Sequence, residues 1–263
     1  MKDNVLDNEN ILHVKGNGIE YIKFKKLLEH GVTHAYTLKG GNIDFSGDAI
    51  NEKSSYKKLC DELKLKESSL VKPYQTHSSN IRCINRFVER EDLKDVDGLI
   101  TDKKDIVITT KNADCILFLI YDPLKKVIAN VHSGWKGTFK KIIEVAVVKM
   151  ITNYKSNPED IICCICPSIR KCHFEVDEEV KKLCENIFGF IKQTEKFIES
   201  GEGKQKYMID TVLINKILLL NLGLKEENII DSGLCSVCNS DKLHSARVEG
   251  ENYKRATGII VLN

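Results

Sequence analysis

The sequence predicts an α+β fold in a single domain that spans residues 1–263. Short apolar runs of strand length, such as residues 116–121, share the chain with longer segments whose apolar residues recur at helical spacing, such as residues 139–154. No internal repeat, low-complexity tract or Pro/Gly-rich linker divides the chain. Its 263 residues are enough to bury a sizeable core.

In the first part of the chain, apolar runs predict strands at residues 19–24, 32–38 and 106–110. A short helix is expected around Leu27 and Leu28, and a longer one over residues 48–65. The longer helix is predicted because its apolar residues recur at three- and four-residue steps and form one face, made of Tyr56, Leu59, Cys60 and Leu63.

In the second part, a helix is expected over residues 139–154, followed by a buried strand over residues 161–166. Further helices are expected over residues 177–188 and 210–222. Asp210 is a good N-cap for the last of these helices, and Gly223 is typical of a helix end. A β segment should then begin at Ile229.

The charge balance favours a small-molecule ligand over nucleic acid or a membrane. Forty basic residues face thirty-eight acidic ones, so the chain has no strong overall field. No apolar run reaches spanning length, and residues 1–4 are too polar and acidic for a signal peptide. We therefore expect a cytoplasmic protein whose ten cysteines are reduced thiols rather than a disulfide framework.

The stretch from residue 106 to 137 carries the strongest chemical signal. Two β-rich runs joined at Asp122-Pro123 predict a buried hairpin, with Cys115 at the start of one run and His132 at the end of the other. In an antiparallel pair these two ends meet, so the hairpin can build a metal site or a Cys/His catalytic pair. A purely structural alternative makes Cys115 a core residue and His132 a helix cap.

His77, in a polar loop, would add a third ligand. Two His and one Cys with an open position are the composition of a catalytic zinc site, whereas structural sites close the sphere with four ligands. Asp97 lies before Gly98, where an acid usually has only a turn role. Cys235-x-x-Cys238 has no second pair at ribbon spacing and no thioredoxin-like helix after it, so a redox or zinc-knuckle role is not favoured.

Five motifs, taken in order, resemble the laccase-domain family, formerly called polyphenol oxidases, and within it the zinc-dependent purine nucleoside phosphorylase group. The similarity runs from about His34 to the C-terminus. It implies a layered α/β/β/α sandwich with mixed sheets. The motifs occupy residues 75–77, 97–101, 112–115, 132–137 and 166–169.

The resemblance also implies roles for individual residues. The zinc ligands would be His77, Cys115 and His132. Asp114 and Arg247 would be catalytic. Substrate and phosphate contacts would come from Lys39, Gly40, Gln75, Trp135 and Ser245. The chain departs from the family at residues 38–39, at Val248 and at Ile259, where the family carries Arg residues. Lys39 presents a point charge instead of the planar guanidinium fork that grips phosphate bidentately.

The implied function is phosphorolysis of adenosine, inosine and methylthioadenosine to free base and ribose 1-phosphate, with deamination of adenosine to inosine. Purine nucleosides and phosphate would be the partners, and zinc the cofactor, with copper as a second option. The rivals are a copper-dependent polyphenol oxidase, a metal-free Cys/His hydrolase and a non-catalytic zinc protein. Seven histidines, of which only His77 and His132 fall in motifs, are few for multicopper chemistry.

Overall fold

Strands make up most of the regular structure. The computed structural model describes residues 6–47, 49–189, 191, 196–202 and 205–263. Its strands are β1 (Ile11–Lys15), β2 (Glu20–Phe24), β3 (Thr33–Thr37), β4 (Leu70–Val71), β5 (Ile81–Cys83), β6 (Gly98–Thr101), β7 (Val107–Asn112), β8 (Ile116–Asp122), β9 (Val127–Ser133), β10 (Ile162–Ile165), β11 (Glu175–Asp177), β12 (Ile198–Ser200), β13 (Lys206–Ile209), β14 (Ile229–Asp231) and β15 (Ala256–Val261). The α-helices are α1 (Lys25–Glu29), α2 (Ala49–Leu63), α3 (Trp135–Phe139), α4 (Ile142–Tyr154), α5 (Glu178–Phe188), α6 (Thr211–Asn221) and α7 (Ala246–Glu249).

Two six-stranded sheets organise the chain. The first has the order β1-β2-β3-β15-β7-β4 and the second the order β14-β10-β8-β9-β6-β5, while β11-β13-β12 form a small third sheet. Both large sheets are mixed, since β4 runs parallel to β7 and β10 runs parallel to β14, whereas the β8–β9 pair is antiparallel.

The alternation of side chains along β8 shows how the sheets are layered. Leu117 and Leu119 point into a core shared with the first sheet, whereas Phe118 and Ile120 point into a core shared with α4 and α6. On the other side of the first sheet, Ile259 packs with residues of α2. The predicted α+β fold, with mixed sheets in an α/β/β/α sandwich, is therefore confirmed.

Most predicted elements are found, with one correction in the second half. The helix predicted over residues 139–154 is α4, which begins only at Ile142 because Lys141 adopts a left-handed conformation with φ 55°; Phe139 instead ends the separate helix α3. The Asp210 carboxylate accepts a hydrogen bond from the backbone N–H of Leu213 at 2.8 Å, which confirms the predicted N-cap. Asp48, the predicted start of α2, lies outside the described residues.

Several strands were not anticipated from the sequence. β1 lies in a segment with little pattern, and β15, which pairs with both β3 and β7, lies where no strand was predicted. Within the described parts of the chain, no helix is long and apolar enough to cross a membrane.

Candidate metal centre and its two cavities

The β8–β9 hairpin brings Cys115 and His132 together, as its sequence predicts. In the antiparallel ladder Leu117 pairs with His132, and Cys115 lies just before β8. Nε2 of His77 lies 3.6 Å from Sγ of Cys115, and one ligand atom from each of the three side chains lies within 4.8 Å of the other two. We call His77, Cys115 and His132 the metal triad.

Asp97 holds both histidines of the metal triad. Its Oδ1 accepts hydrogen bonds from Nδ1 of His132 at 2.7 Å and from the backbone N–H of His77 at 3.1 Å. Its Oδ2 accepts from the backbone N–H groups of Thr76 at 3.1 Å and Ser78 at 2.8 Å, and from the Ser78 hydroxyl at 2.7 Å. With Nδ1 of His132 committed to Asp97, Nε2 is left as the ligand nitrogen.

Asp97 therefore does more than the turn role that the sequence predicted. Its side chain is fully buried and anchors the loop in which His77 has a positive φ of 61°. One sequence signal could have pointed to this role, because Asp97 opens a motif shared with the laccase-domain family. The structure adds the reason, which is that one carboxylate reaches two ligand-bearing segments.

Charge within the metal triad favours a thiolate. Burial opposes ionisation of the Cys115 thiol, but the His132 and His77 imidazoles outweigh it and lower the pKa of this thiol to about 6. Burial would also lower the pKa of His132, yet Cys115 and Asp97 together raise it to about 9. An ionised thiol is the form that binds a metal, so the ligand is preformed for a cation.

Gly134 leaves the space that the metal triad needs. A Cβ atom at this position would lie 2.5 Å from Cδ2 of His77 and 3.1 Å from Sγ of Cys115. The glycine backbone itself is extended, with φ −70° and ψ 178°, so close approach rather than dihedral freedom explains the residue.

The residues present fit a zinc ion. Two imidazoles and one thiolate leave a fourth tetrahedral position open, and a carboxylate supports one imidazole from behind. The 3.6 Å separation of Sγ and Nε2 matches the edge of about 3.6 Å expected for a tetrahedron with ordinary zinc–sulfur and zinc–nitrogen bonds.

Two cavities meet at the metal triad and share Cys115. The first, which we call the cation cavity, is lined by Ser46, Pro73, Tyr74, Gln75, His77, Arg90, Lys111, Asn112, Ala113, Cys115, His132, Tyr253 and Arg255. The second, the aromatic cavity, is lined by Asp114, Cys115, Ile116, Ser133, Gly134, Trp135, Ile169, Phe174, Thr211 and Arg247.

The cation cavity carries more positive than negative charge. Glu52 is buried and pairs with Lys111 at 2.8 Å and with Arg90 at 3.2 Å. The Arg255 guanidinium donates to the carbonyl of Ser46 at 2.7 Å and to the Tyr253 hydroxyl at 2.6 Å. Three cations around one carboxylate leave an excess that suits an anion.

In the aromatic cavity, Asp114 joins two chain segments to the metal triad. Its carboxylate accepts hydrogen bonds from the Ser236 hydroxyl at 2.6 Å and from the backbone N–H of Arg247 at 2.8 Å. Trp135 also lines this cavity, and its ring packs edge-on against Phe139 at 5.4 Å between ring centroids.

A family model described as multi-copper polyphenol oxidoreductase laccase matches residues 31–263. The chain belongs to this laccase family. The Bacillus subtilis purine nucleoside phosphorylase YlmD is 32% identical over 155 residues, which are 59% of this chain and 54% of that protein. The chain thus matches about half the length of that relative.

Two further similarities cover nearly the whole of this laccase-family chain. The adenosine deaminase RL5 of an unknown prokaryotic organism is 29% identical over 262 residues, which are 92% of this chain and 98% of that protein. The crystal structure of the Bacillus licheniformis hypothetical protein YfiH aligns with a TM-score of 0.85 at 26% identity and covers 98% of both chains. The relatives' names support enzyme status for the laccase-family chain.

Some residues predicted for the site line neither the cation cavity nor the aromatic cavity of this laccase-family chain. Lys39 and Gly40 line a separate cavity with His244, and Nζ of Lys39 pairs with Glu249 at 3.1 Å. This cavity shares no lining residue with the cation or aromatic cavity. The buried Ser245 accepts a hydrogen bond from the backbone N–H of Val248 and caps α7.

Gln75 reaches the cation cavity but is also tied to the backbone. Its amide nitrogen donates to the Lys111 carbonyl at 2.7 Å, and its amide oxygen accepts from the Lys111 N–H at 2.8 Å.

Sequence reasoning missed Arg90, Lys111 and Arg255 as members of the site. No local signal marks them, since charged residues of this kind are usually solvated surface.

Proposed function

We propose that this chain is a zinc-dependent purine nucleoside phosphorylase that also deaminates adenosine. The observation that carries the proposal is the metal triad at the junction of the cation cavity and the aromatic cavity. His77, Cys115 and His132 would hold the zinc, which when bound would act as a Lewis acid in the site. Adenosine, inosine and methylthioadenosine are the proposed nucleosides.

The two cavities suit the two halves of a phosphorolysis reaction. Trp135 and Phe174 offer aromatic surfaces against which a flat purine can stack. On the opposite side, Arg255 and Lys111 offer the charge and the donors that phosphate requires. The anomeric carbon of a bound nucleoside would then lie between the base and the phosphate, near the metal triad.

In phosphorolysis the protein has to position the nucleoside and the phosphate. A phosphate oxygen forms a bond to the anomeric carbon while the glycosidic bond breaks, and the purine leaves with the electron pair of that bond and takes up a proton. Arg247 lines the aromatic cavity and is held by the carbonyls of His173 and Glu175. Asp114 fixes the backbone of Arg247, so we assign Asp114 a role in positioning this part of the wall of the aromatic cavity.

Deamination uses the same base site without phosphate. Water adds to C6 of adenine, ammonia leaves, and inosine is formed. Because the base would occupy the aromatic cavity in both reactions, changes to Trp135 should affect both. Loss of the cations Arg255 and Lys111 should affect only phosphorolysis.

Chromatography of products from zinc-loaded protein and adenosine, with and without phosphate, tests the proposal. Free adenine that depends on phosphate, together with inosine, is the expected result, and both products should be lost in His77→Ala and Cys115→Ala. The Cys83→Ala variant is a matched control, because Cys83 lies outside the metal triad.

Each rival predicts a different outcome of the same experiment. A metal-free Cys/His hydrolase would keep its activity in the presence of a chelator and lose it on thiol alkylation. A copper oxidase would form neither purine product but would oxidise a phenol once loaded with copper. A non-catalytic zinc protein would bind metal and form no product at all.

A further inference from the structure

A second group of metal-binding side chains lies where two loops leave the same edge of a sheet. Cys172 and His173 follow β10, while Cys235 and Cys238 follow β14. Since β10 and β14 are parallel neighbours, their loops emerge side by side. The backbone N–H of Ser236 donates to the Ser168 carbonyl at 3.0 Å and joins the two loops.

The spacing within this group is close to that of a tetrahedral metal site. Nδ1 of His173 lies 3.1 Å from Sγ of Cys172, 3.7 Å from Sγ of Cys235 and 3.5 Å from Sγ of Cys238. Sγ of Cys172 lies 3.8 Å from Sγ of Cys238. A zinc tetrahedron with ordinary bond lengths has sulfur–sulfur edges of about 3.8 Å and sulfur–nitrogen edges of about 3.6 Å.

We propose that Cys172, His173, Cys235 and Cys238 form a second, structural zinc site. All four ligand atoms lie within 4.8 Å of one another, so one ion can reach each of them. Three thiolates and one imidazole close the coordination sphere, as in structural zinc sites, and the Cys-x-x-Cys spacing is the usual chelating turn of such sites. The ligand group lacks the open position of the metal triad.

The turn that carries the two later cysteines is already shaped as a chelating loop. The backbone N–H of Asn239 donates to the Cys235 carbonyl at 3.1 Å, and the Asn239 side chain donates to the same carbonyl at 2.8 Å. Arg170 anchors the other loop, since its guanidinium bonds Asp231 at 2.9 Å and its Nε donates to the Leu234 carbonyl at 3.1 Å. Both loops are thus held in place on their sheet side.

On the opposite side, the four ligands lie against the wall of the aromatic cavity. Ser236, between the two cysteines of the turn, donates its hydroxyl to Asp114 at 2.6 Å. The His173 carbonyl accepts a hydrogen bond from Arg247 at 3.4 Å. An ion in this second site would therefore fix the segments that position Asp114 and Arg247, whatever reaction the metal triad performs.

Counting metal in the intact protein tests the second site independently of activity. Zinc-loaded wild-type protein, after exhaustive dialysis, should contain about two zinc ions per chain by elemental mass spectrometry, and Cys238→Ser and Cys115→Ser should each contain about one. The Cys83→Ser variant, which changes a cysteine outside both groups, should keep both ions. His173→Cys should also keep both, because four thiolates still form a closed zinc site.

Cobalt substitution keeps the test valid if a variant of the second site folds poorly. In the Cys115→Ser protein, where the second site is unaltered, bound Co²⁺ should give the intense thiolate charge-transfer and d–d bands of tetrahedral sulfur coordination. Wild-type protein with only about one zinc ion, unchanged in Cys238→Ser, would overturn the proposal. So would a Cys172–Cys238 disulfide found by peptide mass spectrometry in protein purified and kept under reducing conditions.

Discussion

Oδ1 of the buried Asp97 carboxylate accepts a hydrogen bond from Nδ1 of His132 at 2.7 Å, in the arrangement that leaves Nε2 of His132 for a metal. The same oxygen accepts from the backbone N–H of His77, so a single atom positions two ligands. Burial alone would raise the pKa of Asp97, but its hydrogen bonds with His132 and Ser78 lower this pKa to about 2. The carboxylate is therefore ionised at neutral and mildly acidic pH.

Asp97→Asn should lower the zinc affinity of the metal triad by about 10- to 100-fold, as is usual when the partner of a metal-ligating His is changed. The carboxamide has only one acceptor oxygen, so its NH2 group would face either the donors of Thr76 and Ser78 or those of His132 and His77, and these donors would lose their acceptor. Competition with a chromophoric chelator measures the effect. Asp102→Asn, at a surface acid paired with Lys103, is the matched control, and equal affinities in the two variants would contradict the prediction.

Gly134→Ala should reduce zinc affinity at least tenfold, or about 1.4 kcal/mol, because the added methyl group would overlap Cδ2 of His77. Isothermal titration of metal-free protein with zinc measures the change. Gly137→Ala is the control, since its nearest neighbour, Oγ of Ser133, would lie at 3.4 Å. A Gly134→Ala protein that binds zinc like the Gly137→Ala protein would show that the close approach is unimportant.

The cation cavity, rather than Lys39, is expected to bind phosphate. Arg255→Gln should raise the KM for phosphate about 10- to 100-fold, the value of a lost charge-assisted hydrogen bond of about 1.5–3 kcal/mol, with little change in the KM for the nucleoside. Lys39→Gln should change neither constant, because Lys39 pairs with Glu249 in a separate cavity. The opposite pattern in steady-state kinetics would place phosphate beside Lys39.

His34 should make the folded state less stable in acid. Burial lowers its pKa from 6.5 to about 4, while its ring accepts from the Phe24 N–H at 2.7 Å and lies 2.9 Å from the Val32 carbonyl. The unfolded chain thus takes up a proton before the folded one, so the free energy of unfolding falls as pH falls from 6.5 to 4. The loss attributable to His34 approaches about 3 kcal/mol.

Denaturant titrations at several pH values would measure this dependence. The difference in unfolding free energy between wild type and His34→Gln should change across this pH window, because glutamine can keep both hydrogen bonds without titrating. His30→Gln, at a nearby exposed histidine, should leave the slope unaltered. Parallel curves for wild type and His34→Gln would contradict the prediction.

Local sequence patterns were enough to predict much of the fold and the residues of the metal triad. The β8–β9 hairpin follows from two apolar runs around one turn, and its antiparallel register brings Cys115 and His132 together without help from the rest of the chain. Local periodicity likewise located α2, which buries one apolar face, and α6 was located by its N-cap Asp210 and by Gly223 at its end. The break at Lys141 escaped prediction, since a single left-handed residue leaves the apolar pattern intact.

Tertiary structure alone decided the partners of these ligands. Asp97 supports both histidines, Glu52 joins Lys111 to Arg90, and Cys172 meets Cys238 only because β10 and β14 are parallel neighbours. Sequence periodicity reports which side of an element is buried, and hairpin register is set by a nearby turn. Packing between segments far apart in the chain decides the order of distant strands and which loops converge at their ends. The second site and the cation cavity therefore became visible only in the folded molecule.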